Sequence, residues 1–240
     1  MSELIDFVVS KVPTFETKIP SSNKKVSFRP FLVKEEKVLL MAQEMNSPAE
    51  KLNTIANLIE NCFSGVENSK NLPLFDIEYL FLMLRAKSVG EGIHSILICP
   101  ETGEKIDIVV NIDDIKIKKT KGHKSSIKLT DELLVEMKYP TLNILQKFNK
   151  DELEFNNNES TYKIISECIS KIETPTSTYK SDSMSLDEKL EFLNNLSRDQ
   201  FDLILNFFFT SPKIEKEVKY QTSDGKDRKI LLSGLLDFFV

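Results

Sequence analysis

One stretch, residues 77–87 with the sequence IEYLFLMLRAK, constrains the fold more than any other. Tyr79, Leu80, Phe81, Leu82, Met83 and Leu84 leave a helix almost no polar face, and a helix that is apolar all round has to be surrounded. Asp76 reads as its N-cap, and Gly90 and Gly92 end it. The chain can supply the cover. Its 240 residues, 40% apolar and 29% charged, are enough to bury one sizeable core or two small ones.

The elements before this helix have clear edges. Residues 16–29 read as two strands joined at Ser21, Ser22 and Asn23, and a helix opens at Lys34 with Val38, Leu39, Met41 and Ala42 as its apolar positions. Ser47, Pro48 and Glu50 give an N-cap, a first-turn proline and a capping-box partner. Behind them Leu52, Ile55, Leu58, Ile59, Cys62 and Phe63 repeat at the three-and-four spacing of one buried face. After the central helix, residues 93–99 and 105–111 alternate as a β-hairpin about the turn from Pro100 to Gly103.

From 116 to 128 the sequence becomes KIKKTKGHKSSIK, with six lysines, and reads as an exposed connector between an N-terminal α+β domain, 1–118, and a C-terminal domain, 129–240. The connector proper is 119–128. Beyond it the spacing predicts helices over 131–138, 140–148 and 160–171 and a polar loop over 174–183. Ser185 with Glu188, and Ser197 with Gln200, form two further capping boxes. A hairpin of 218–222 and 228–232 follows, turned at Asp224 and Gly225 in type I′ geometry, and then an apolar helix over 234–239. The expected class is α+β, predominantly helical with short hairpins, in two helical halves that each end near a hairpin.

Several chemistries lose their footing. No uncharged stretch exceeds the ten residues from Leu203 to Pro212, short of the roughly 20 a spanning helix needs. The opening MSELIDFVVSK lacks the basic start and cleavage site of a secretory signal, so a cytoplasmic protein is expected. Cys62, Cys99 and Cys168 are too few and too scattered for a disulfide framework and read as reduced thiols. The two histidines read as structural in the case of His94 and solvated in the case of His123. No phosphate-binding, nucleophile-elbow or zinc-protease pattern occurs. Adjacent carboxylates such as Asp113 and Asp114 diverge along a strand and do not build a cation site. No catalytic residue, cofactor or metal ligand is assigned.

Binding is where the residues point. Net charge −5 opposes bulk attraction to nucleic acid, and the lysine run lacks interleaved aromatics, so a solvated connector is expected, and Lys116, Lys118, Lys119, Lys121 and Lys124 are equally a candidate loop for an acidic partner protein. Three consecutive phenylalanines on one helix point about 100° apart, so one core face cannot cover Phe207, Phe208 and Phe209 together. Phe208 is assigned to packing within the chain. Phe207 or Phe209, with Leu235, Leu236, Phe238 and Phe239, are candidate partner contacts.

Longer strings carry a family likeness. SSNKKVSFRPFLVKEEKVLLMA (residues 21–42), LPLFDIEYLFLMLRAKSVGE (72–91) and CPETGEKIDIVVNI (99–112), with ILLSGLLDFF (230–239), resemble the baseplate protein family of T4-like bacteriophages. The resemblance implies a late, virus-encoded, non-enzymatic protein of a contractile tail, concerned with assembly of the central baseplate hub. It implies other hub subunits as partners, no membrane and no specific nucleic acid, with self-association left open. It also implies a place in the host cytoplasm during assembly and in the virion tail thereafter. The alternative is a transient assembly chaperone absent from the mature virion. Some members carry paired cysteines in a zinc-ribbon-like arrangement. Here Cys99 stands alone, so no four-ligand zinc site is carried over.

Overall fold

A computed structural model describes residues 2–45, 47–148 and 158–234. The chain divides into two compact units, residues 1–118 with 213–240, and residues 119–212.

The first unit opens with helix α1 (Ser2–Ser10), then strands β1 (Phe15–Lys18) and β2 (Lys25–Phe28), paired in antiparallel register from Phe15 with Phe28 to Lys18 with Lys25. The short β3 (Phe63–Ser64) completes that sheet in the order β1-β2-β3. Helices α2 (Val33–Gln43), α3 (Pro48–Cys62) and α4 (Leu74–Ser88) pack in sequence, α2 on α3 and α3 on α4. The Ser47 side chain accepts from the Glu50 N–H, as its cap position requires. As the apolar sequence of α4 demands, only Lys87 in that helix is exposed. Ile55, Ile59, Ile77, Leu80, Phe81 and Leu84 make the helical part of this core.

Asp76 is not the N-cap of α4. Pro73 holds that place, and the buried Asp76 carboxylate sits in the first turn, accepting from the Ser21 backbone N–H at 3.0 Å and from the Ser21 hydroxyl. The turn between β1 and β2 is thereby fastened to the positive end of the helix.

Strands β4 (Gly92–Ile98) and β5 (Lys105–Asn111) form the expected hairpin. The terminal hairpin, β11 (Lys213–Gln221) with β12 (Asp227–Ser233), belongs to this unit and not with the residues before it. Two causes are visible. Strand β6 (Lys116–Lys118) pairs with β11, and the two hairpin turns are fastened to each other. The Arg228 guanidinium reaches Asp224 at 2.8 Å in its own hairpin and Glu101 at 3.0 Å in the other, while the Ser223 N–H donates to Glu104 at 2.9 Å. The terminal turn is not type I′. Gly225 N–H donates to Thr222 C=O and Gly225 takes φ +76°, the type I turn with a left-handed glycine that marks a bulged hairpin.

The second unit overturns the expectation of a predominantly helical chain. Residues 134–137, expected in a helix, are strand β8 (Leu134–Met137), and 169–171, expected at a helix end, belong to β9 (Ile169–Glu173). With β7 (Ser126–Lys128) and β10 (Thr178–Lys180) they form an antiparallel sheet in the order β10-β9-β8-β7. Among the described residues twelve strands make four antiparallel sheets, so the class is mixed α+β. The misreading has a physical source. Ser170 is an extra residue between the pairs Met137 with Ile169 and Glu136 with Lys171, and this bulge turns Ile169 and Ile172 inward together at a spacing of three, which imitates a helix.

Over the sheet lie α5 (Leu142–Leu145), α6 (Asn158–Glu167), α7 (Leu186–Asn194) and α8 (Arg198–Thr210). Both capping boxes form: Ser185 accepts from Glu188 N–H and Ser197 from Gln200 N–H, and each partner side chain returns the bond. Val135, Met137, Ile165, Ile169, Ile172, Leu193, Phe201, Ile204 and Phe207 close one core between sheet and helices. The apolar helix expected over 234–239 lies outside the described residues.

Candidate functional site

Helix α8 separates the three phenylalanines as its pitch dictates. Phe207 points inward and is 2% exposed, so it is a core residue and not a partner contact. Its ring lies 5.0 Å from that of His123 and 5.3 Å from that of Tyr139. Phe208 is half-buried, edge-on to Phe207 at 5.1 Å. Phe209 is 71% exposed, and Leu203, on the same helix, is exposed as well. The candidates Leu235, Leu236, Phe238 and Phe239 lie outside the described residues.

The lysine run is more structured than a connector. Lys116 and Lys118 sit on β6 in the first unit, and Lys118 pairs with Glu215 at 3.3 Å. Lys119, Lys121 and Lys124 are exposed in the second unit. Between them His123 is not solvated: one ring nitrogen lies 2.9 Å from Thr210 Oγ1, the other 2.9 Å from the Tyr139 hydroxyl. Burial lowers its pKa, which keeps the imidazole neutral at pH 7. The loop is therefore pinned to the end of α8 by a histidine, with lysines on either side. His94 is exposed on β4 and is not structural.

Other polar groups are committed to the fold. Glu167, buried at the end of α6, accepts from Lys189 at 3.2 Å and from Lys147. Burial alone would raise its pKa, but the two ammonium groups win and hold it below the ordinary carboxyl value. The Cys99 thiol is drawn down to about 7 by hydrogen bonds, first from the Thr102 side chain and then from Tyr220, whose hydroxyl lies 3.4 Å from Sγ. It is buried under the joined turns. Cys62 and Cys168 are pushed up by burial, to about 11 and about 12. Among the described residues no three His, Cys, Asp or Glu side chains converge as a metal site, and no helix is long and apolar enough to cross a membrane.

The surface the sequence reading missed is apolar and lies in the first unit. On α2 only Leu39 and Ala42 of its apolar residues are buried, while Val33, Val38, Leu40 and Met41 are exposed, Val33 at 67% and Met41 at 66%. The outer face of β4 and β5 shows Ile96, Ile98 and Val109. Helix α1, not expected as an element, exposes Leu4, Phe7, Val8 and Val9. A signal was present: α2 has apolar residues at consecutive positions 38–42, more than one buried face uses.

The family model described as T4 bacteriophage base plate protein matches residues 12–240. No curated protein and no solved structure matches the chain.

Proposed function

The chain belongs to the T4 bacteriophage base plate protein family, and from that premise we propose that it is a non-enzymatic structural and assembly protein of a contractile phage tail, which helps to build the central hub by contacts with other baseplate proteins. The family match over residues 12–240 carries this reading. The geometry supports it through the surfaces it offers. Phe209 with Leu203 on α8, and the outer face of β4 and β5 with Ile96, Ile98 and Val109, are apolar areas of the kind that protein partners cover. Lys119, Lys121 and Lys124, held about the anchored His123, suit an acidic partner and would raise its rate of encounter.

Peptide mass spectrometry of purified particles beside tail-assembly intermediates tests the reading. A fixed small copy number in finished particles makes the chain a hub subunit with permanent interfaces. Presence in intermediates alone makes it a transient chaperone whose contacts release. Absence from both overturns the proposal.

A further inference from the structure

A strand at the edge of a sheet leaves half its backbone groups unpaired, and proteins guard such an edge with charges, proline, a bulge, shortness or a cover. Among the described residues the edge strands of three or more residues are β1, β4, β5, β6, β7, β10 and β12, and all but β4 carry a lysine or arginine. Strand β4, GIHSILI, has no acid, lysine, arginine or proline and runs seven residues. It keeps one register with β5 from Gly92 to Ile98, so no bulge interrupts it.

Hydrogen bonding along the hairpin fixes which groups face out. Just beyond one end of the ladder the Cys99 N–H donates to Glu104 C=O at 2.9 Å, and just beyond the other the Ile112 N–H donates to Glu91 C=O at 2.8 Å. Bonded pairs alternate in an antiparallel ladder, so Ile93, Ser95 and Leu97 exchange bonds with β5. The N–H and C=O groups of Gly92, His94, Ile96 and Ile98 point away from it, and no described group takes them. The side chains of these residues share the outer face, where Ile96 is 54% and Ile98 60% exposed, while Ile93 and Leu97 on the other face are buried. Pro100, which has no N–H, ends the row.

We propose that β4 is a receiving edge, to which an extended segment of a partner protein adds as a third strand of the hairpin. What the edge offers specifies the occupant. Donors and acceptors spaced two residues apart are matched by another extended backbone, whereas a helix has its own groups already paired. Beside Ile96 and Ile98 that segment carries uncharged, apolar residues at alternate positions, since a charge there would be desolvated without a partner. A length of about seven residues matches the strand. The inference rests on the baseplate reading, which supplies other tail proteins as the source of the strand, and deepens it by naming the backbone edge as the point of contact.

Hydrogen exchange resolved to single amides, on the free chain and on the chain within purified tail-assembly intermediates and particles, reads the edge directly. In the free chain the amides of Ile93, Ser95 and Leu97 are expected to exchange slowly and those of His94, Ile96 and Ile98 fast, at every protein concentration. In the assemblies the latter three are expected to slow by about a hundredfold or more, as ladder amides do. Two substitutions separate the edge from the outer face. Ile96→Lys sets a charge on the edge and is expected to lower recovery of the chain with assemblies by about tenfold or more. Val109→Lys sets the same charge on β5, one strand away, and should change recovery far less. Both side chains are exposed, so the circular dichroism of both variants should match wild type. Amides of His94, Ile96 and Ile98 that stay fast in the assemblies overturn the inference and leave the baseplate reading standing, as does recovery lost with Val109→Lys but kept with Ile96→Lys. Slowing in the free chain that grows with concentration gives the edge to a second copy and also overturns it. Absence of the chain from intermediates and particles alike overturns both.

Discussion

The two units treat their apolar surface in opposite ways. Among the described residues the first unit exposes thirteen large apolar side chains and the second four, two of which are the tyrosines Tyr162 and Tyr179; the greater length of the first does not account for the difference. Both units bury polar groups with partners: Asp76 with Ser21 and Glu35 with Arg29 in the first, and Glu167 between Lys147 and Lys189 in the second, where the half-buried His123 also lies between Thr210 and Tyr139. A unit of the second kind holds itself together. One of the first kind is finished by whatever covers it, so changes in its exposed side chains should alter association, while changes in the second unit's interior should alter folding.

The largest effect tests the interior. Phe207→Ala removes a ring that packs on His123, Tyr139 and Phe208, and is expected to destabilise the second unit by about 3–5 kcal/mol, read by urea unfolding followed by circular dichroism. A loss below 1 kcal/mol would place the ring at the surface and erase the contrast with the first unit.

Next comes the buried ion cluster. Lys189→Ala leaves Glu167 with the more exposed Lys147 alone and should cost about 3 kcal/mol, the low end for breaking a buried pair. The same carboxylate gives a pH signature. Its folded pKa lies below the ordinary value of 4.5, so its stabilisation is complete above that pH and is lost as pH falls through the lower folded value. Glu167→Gln should flatten that part of the stability profile. An acid limb that keeps its slope in Glu167→Gln would assign the acid sensitivity elsewhere.

What could be read in advance divides by distance along the sequence, not by unit. Local grammar was legible: Ser185 with Glu188, Ser197 with Gln200, Ser47 before Pro48, and the β4–β5 alternation all depend on residues close in sequence. The second unit's sheet was not, because the bulge at Ser170 gives Ile169 and Ile172 a helical spacing and because β8 has only four residues to show alternation. The pairing of β6 with β11 joins positions nearly a hundred residues apart, and no local pattern announces it. Of the candidate contacts, Phe207 and Phe209 could not be told apart without knowing which arc of α8 the sheet covers. Helix α2 shows the reverse: its apolar positions are legible, but not that Val38 and Met41 among them face out.

Capping gives a smaller effect with a known source. Ser197→Ala deletes the side chain that accepts from Gln200 N–H and should cost about 1 kcal/mol of second-unit stability by thermal unfolding. Ser47→Ala removes the corresponding acceptor of α3 in the first unit and should cost a similar amount. Equal losses would show that the units differ in their surfaces and not in how their helices begin. A far larger loss at Ser47 would mean that the first unit is marginal throughout, and its exposed apolar residues a sign of loose packing.

The smallest expected change in stability is at Phe209. Two positions along α8 from the buried Phe207, its side chain is largely exposed, so Phe209→Ser should leave the stability within about 0.5 kcal/mol of wild type. The same substitution removes the largest apolar group that the second unit offers to a partner, and an aromatic anchor at the centre of an interface can cost 2 kcal/mol or more when it is lost. Phe209→Ser and Phe207→Ala are therefore expected to separate cleanly: the first should reduce recovery of the chain with tail-assembly intermediates while its melting curve is unmoved, and the second should lower both. If Phe209→Ser is recovered as fully as wild type, the partner surface of the second unit does not include the end of α8. The anchored lysines around His123 would then be the next residues to reverse in charge.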